Sequence, residues 1–99
     1  MRKNHYGRII HISSILSEKN IIGILDVSRF SKLKKLNCNH NSITKLILPS
    51  NLEMLECAHN NITLLDNLPL TLIELYCAGN EIMNLDNLPT NLKSLNCMS

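Results

Sequence analysis

Apolar positions return along this chain at intervals of about twenty residues. Four times it reads Leu-x-x-Leu-x-Cys: Leu33 to Cys38, Leu52 to Cys57, Leu72 to Cys77 and Leu92 to Cys97. The cysteines stand 19, 20 and 20 residues apart, and a fixed period of that size marks a repeat protein. Leu36 and Cys38 are separated by one residue, as are Leu55 and Cys57, and Leu75 and Cys77. That alternation predicts a short strand in each unit, with both marked side chains on one face. Beyond the cysteine the frame runs on through Asn41, Ile43 and Leu46, then Asn60, Ile62 and Leu65, then Asn80, Ile82 and Leu85. A degenerate earlier copy uses Ile12, Ile15, Ser17, Asn20, Ile22 and Leu25, with serine in the cysteine slot. Units therefore start near 12, 33, 52, 72 and 92, the last one incomplete. They form one domain over 12–99, with 1–11 as a partial N-terminal cap.

One such coil has a single apolar seam and cannot bury it alone. Stacked coils join their strands into a parallel sheet, at roughly 4.8 Å per rung, around continuous apolar columns. The asparagines Asn20, Asn41, Asn60 and Asn80 form a ladder where the chain leaves the strand, and an amide there can satisfy turn groups that would otherwise be buried unpaired. The return path holds Leu68-Pro69 and Leu88-Pro89. Proline lacks a donor and biases the preceding residue to an extended backbone, which predicts extended or turn-like segments. The first unit has Asp26–Lys32 instead, without proline and with room for a helical turn.

Leu-x-x-Leu-x-Cys-x-x-Asn-x-Ile resembles the leucine-rich repeat. With Leu-Pro ahead of the next unit, it is similar to the short 20-residue class of bacterial effectors, while cysteine in the last strand slot and the many Asn and Ile residues resemble short repeat proteins of large DNA viruses. The resemblance implies an α/β-class solenoid of mostly short parallel strands, wound as a right-handed coil with extended or short 3-10 convex segments. It also implies a binding module, in that class often beside a catalytic domain.

At 99 residues, with 44% hydrophobic and 18% charged positions, the chain suits one soluble domain. Tyr6, Phe30 and Tyr76 are its only aromatics, too few for base stacking, so nucleic acid is disfavoured as a partner. No apolar run approaches the ~20 residues of a membrane span. Polar residues interrupt any apolar stretch of a signal peptide near the N-terminus, so an intracellular, cytoplasmic setting is expected, by the resemblance that of a host cell. Charge divides along the chain. Positions 1–50 carry nine basic and two acidic residues, a balance of +7; positions 51–99 carry one basic and six acidic, a balance of −5. In a solenoid sequence order is spatial order, so opposite ends differ in sign.

Chemistry-bearing residues follow the repeat. Cys38, Cys57, Cys77 and Cys97 form a column of small buried apolar groups. Single cysteines a whole coil apart do not match zinc spacing, and side chains in parallel rungs point the same way, so four free thiols are expected. His40 and His59 stand two residues after a cysteine and should be rung neighbours, without the further ligands a metal site requires. Phosphate-binding loops and Gly-x-Ser-x-Gly are absent, so neither catalysis nor a cofactor is expected. What remains is the face opposite the seam. Lys35, Asn37, Met54, Glu56, Glu74 and Tyr76 are the candidate contacts for a protein partner, with Met54 and Tyr76 as an apolar anchor in an acidic surround. Two other roles stay open: self-association through the C-terminal rung at Leu92 and Leu95 and the oppositely charged ends, or service as the repeat portion of a larger effector.

Overall fold

The computed structural model describes residues 14–16, 21–85 and 87–97. The segment 1–11, Asn20 and the other marked positions of the first unit before Ile21, apart from Ile15, lie outside them. The described strands are β1 (Ser14–Leu16), β2 (Ile22–Asp26), β3 (Lys35–Asn37), β4 (Ser42–Ile47), β5 (Met54–Glu56), β6 (Glu74–Tyr76) and β7 (Ser94–Asn96). Five of them make a sheet in the order β1-β3-β5-β6-β7, with every neighbouring pair parallel. The chain is thus a β-solenoid, one sheet strand per turn. Its register follows the repeat: Ile15, Leu36, Leu55, Leu75 and Leu95 lie opposite one another in sequence.

The seam residues build the core. Leu33, Leu36 and Cys38 of one turn, Leu52, Leu55 and Cys57 of the next, and Leu72, Leu75 and Cys77 of the third are buried in one cluster, closed from the far side by Ile43, Ile62 and Leu65. Each coil buries its leucines only against neighbouring coils, so burial of apolar area couples the turns. Cross-rung bonds repeat with little variation. The N–H of Cys38 donates to the Glu56 carbonyl, that of Cys57 to Tyr76 and that of Cys77 to Asn96, each at 2.8 Å.

A second, two-stranded parallel sheet pairs β2 with β4. The expected strands were confined to the seam; this one forms where isoleucine, leucine and threonine suit an extended, half-buried backbone. In later turns it thins to one or two cross-rung bonds: Asn61 N–H to Ile43 O at 2.9 Å, then Glu81 N–H to Ile62 O at 3.0 Å and Met83 N–H to Thr63 O at 3.2 Å. The frame of the first unit is also corrected here. Ile22 is 80% exposed, and Ile21 takes the role of Ile43 and Ile62: its N–H donates to Asn41 Oδ1 at 2.8 Å and it packs on the core. A register shift between Gly23 and Ile24 restores the frame, so that Leu25 pairs with Leu46. Gly23, at φ 87°, supplies the backbone freedom such a bulge uses.

The α/β class implied by the resemblance does not hold for the described residues, which contain strands and turns and no α- or 3-10 helix. Proline is the reason on the return path. Pro49, Pro69 and Pro89 are all buried three residues ahead of a seam leucine, and Leu48-Pro49 is a third copy of the Leu-Pro signature. Pro69 O accepts from Leu72 N–H at 3.1 Å and Pro89 O from Leu92 N–H at 3.3 Å. In the first unit Phe30 holds that place, also buried. Two successive turns replace the helical turn there, with Phe30 N–H donating to Val27 O and Leu33 N–H to Phe30 O.

Candidate functional site

The candidate contacts fall into two columns on the outer face of the five-stranded sheet. Strand register sets Lys35 beside Met54 beside Glu74, and Asn37 beside Glu56 beside Tyr76. Met54, Glu56, Glu74 and Tyr76 therefore form one block across β5 and β6, with Lys35 and Asn37 at its border. Lys35 is exposed and the other five are half-buried, because neighbours on adjacent rungs shield one another's flanks.

Hydrogen bonds orient part of the block. Tyr76 Oη donates to Glu74 Oε1 at 3.0 Å. That bond, with partial desolvation and the Glu74 charge, holds the phenol proton above its ordinary range. Glu56 accepts from Asn39 Nδ2 at 3.3 Å, and Asn39 is itself fixed: its N–H donates to Asn37 Oδ1 at 3.1 Å and its Oδ1 accepts from Ala58 N–H at 2.7 Å. The candidate contacts omitted Asn39. The signal for it is Asn37-Cys38-Asn39, where an asparagine two residues ahead can bond the local backbone as in an Asx turn. A Lys34–Glu53 ion pair at 3.7 Å also bridges adjacent rungs; with both side chains nearly half exposed it contributes little.

The asparagines clamp the stack behind this face. Asn60 Nδ2 donates to the Cys57 and Ala58 carbonyls of its own turn and to Cys38 O of the preceding one, while its Oδ1 accepts from Ile43 N–H. Asn80 repeats the pattern one turn on, with Cys57 O, Cys77 O and Ile62 N–H. Asn41 donates to Cys38 O and Asn39 O and accepts from Ile21 N–H. Each amide thus satisfies buried backbone groups in two coils at once.

Cys77 and Cys97 stand side by side on adjacent rungs, with Cα atoms 4.4 Å apart. Cys38 and Cys57 are free and buried. Burial, with the Glu56 charge as a smaller cause, pushes the Cys38 thiol up to about 12; burial raises Cys57 as well, with Cys38 adding to it. Neither is an activated nucleophile.

His40 and His59 stack ring on ring, centroids 4.6 Å apart and planes within 10°. Both occupy the left-handed region, at φ 62° and 59°, and Gly79 holds the same place in the next turn at φ 73°. The His59 ring lies over Gly79, where a Cβ would come within 2.5 Å of its Nδ1. Among the described residues no three or more His, Cys, Asp or Glu side chains gather closely enough to hold a metal ion. Nor is any helix there long and apolar enough to cross a membrane. No protein-family model, curated protein or solved structure matches the chain.

Proposed function

We propose that this solenoid is a non-catalytic, intracellular protein-binding module of leucine-rich-repeat type. It holds a protein partner on the outer face of its five-stranded sheet through Lys35, Asn37, Met54, Glu56, Glu74 and Tyr76. One observation carries this reading: in-register pairing of β3, β5 and β6 gathers the six residues into a single surface. In it an amphipathic aromatic and a methionine, both suited to anchoring, sit beside two carboxylates. With an identified partner, the double variant Met54→Ala with Tyr76→Ala should weaken binding at least tenfold, about 1.4 kcal/mol. Unchanged affinity would remove the sheet face as the site.

A second reading rests on β7, the outermost described strand of the sheet, where Leu95 is 47% exposed and Ser94 and Asn96 are exposed as well. There the chain associates with itself. Light scattering at low and high salt separates the two readings. A monomer in both favours the sheet face, an oligomer weakened by salt favours the charged ends, and a salt-resistant oligomer favours the apolar rung.

A further inference from the structure

We propose that the block across β5 and β6 is a receptor for an arginine side chain of the protein partner, an inference that rests on the sheet-face reading above and names the group that face holds. Strand register makes the block a checkerboard. Met54 stands beside Glu74 and Glu56 beside Tyr76, so the carboxylates occupy one diagonal and the thioether and phenol the other. Neighbouring corners are roughly 4.8 Å apart across the strands and about 6.6 Å along them. A planar guanidinium, with donors on several sides, spans such a patch. All four side chains are half-buried, so each keeps part of its surface open to a ligand.

Charge and hydrogen bonding select that occupant. Glu74 Oε1 accepts from the Tyr76 hydroxyl and Glu56 Oε1 from Asn39 Nδ2, which orients both carboxylates and leaves Oε2 of each for an incoming donor. No lysine or arginine among the described residues pairs with either. Lys35, the one cation among the six contacts, lies on the far side of Met54 from Glu74. Both carboxylates also act on the ring: the Tyr76 proton is held up first by the Glu74 bond, then by desolvation and by the Glu74 and Glu56 charges. A cation seated there meets two negative charges and the face of a neutral phenol, each of which attracts it. Met54 offers apolar contact to the methylene stem behind a guanidinium. A lysine ammonium would give the carboxylates a point charge but no plane to lay on the ring, so arginine fits better. A purely apolar segment would desolvate both carboxylates without pairing them.

Peptides selected from a random displayed library on the purified chain, with affinities then measured by titration calorimetry, test this. Those that lose binding to the Met54→Ala, Tyr76→Ala double variant should share an arginine. Changing that arginine to lysine should weaken binding about threefold or more, and changing it to alanine about tenfold or more. Glu56→Gln with Glu74→Gln should weaken the arginine peptide about tenfold or more and its alanine counterpart far less, a coupling that a double-mutant cycle measures. Peptides that need Met54 and Tyr76 but carry no arginine, or that bind the glutamine variant equally well, overturn the arginine receptor and leave the sheet face standing. Peptides indifferent to all four residues, or no enrichment at all, remove the face as a binding site and the receptor with it. The peptide substitutions leave the protein unaltered, so the decision does not depend on how its variants fold.

Discussion

Leu55 and Leu95 fill the same slot in two repeats of similar sequence, and the molecule treats them differently. Leu55 lies between Leu36 and Leu75 and is fully buried, whereas Leu95 has only Leu75 beside it and is 47% exposed. In a repeat fold the worth of a residue is thus set by the rungs on either side of it more than by its own coil. The inner rungs are packed from both sides, and the rung of β7 is packed against β6.

Truncation puts that comparison at greatest risk. Leu55→Ala should cost about 3 kcal/mol in denaturant unfolding, as expected for a cavity in a packed core, while Leu95→Ala should cost about 1 kcal/mol or less. Equal losses would mean that the inner and outer rungs are equally packed. The asparagine ladder repeats the contrast on a smaller scale. Asn60→Ala strands the buried Ile43 N–H and takes one of two amide donors from each of Cys38 O and Cys57 O, at about 2 kcal/mol. The less buried Asn41→Ala should cost about half as much, and the reverse order in unfolding experiments would refute the ranking.

Gly79 sharpens the comparison between turns. Its φ of 73° and the His59 ring above it both oppose a side chain, so Gly79→Ala should lose about 1 kcal/mol. Combining it with His59→Ala should return the part due to the ring and leave the part due to the backbone, a separation that a double-mutant cycle measures. The last effect is in pH, and it is absent at neutral pH. The folded state keeps the Cys38 proton up to about 12, whereas the unfolded thiol loses it near its ordinary value of 9.0. Between these values the folded state binds more protons, so stability falls as pH rises above 9 and is unaffected by this group below it. The slope, at most about 1.4 kcal/mol per pH unit for one thiol, should diminish in Cys38→Ala when unfolding is followed from pH 8 to 10.

Much of the framework is legible in one dimension. The Leu-x-Cys alternation and its spacing suffice to place β3, β5, β6 and β7 and their mutual register, because two buried side chains on a three-residue strand leave a single choice of face. The same alternation assigns Lys35, Met54 and Glu74 to one outer column and Asn37, Glu56 and Tyr76 to the other. The hydrogen bonds among them are not legible, since Asn39 reaches Glu56 only after two turns have stacked. The β2–β4 sheet was missed for a related reason: its residues pack only once a neighbouring turn is in place, and in later turns the same stretch makes fewer bonds.

By itself the amino-acid sequence determined the period, the seam, the place of each sheet strand from Lys35 onward and the proline-bound return path. These are local matters of side-chain pattern and backbone freedom. Tertiary structure alone decided that Ile21 and not Ile22 faces the core, that Phe30 stands where later turns use proline, and that Leu95 is exposed while Leu55 is enclosed. It also decided that Cys38, Cys57 and Cys77 are enclosed while Cys97 is half-buried. Those outcomes depend on how consecutive coils settle against each other, and on which coil has a neighbour on both sides.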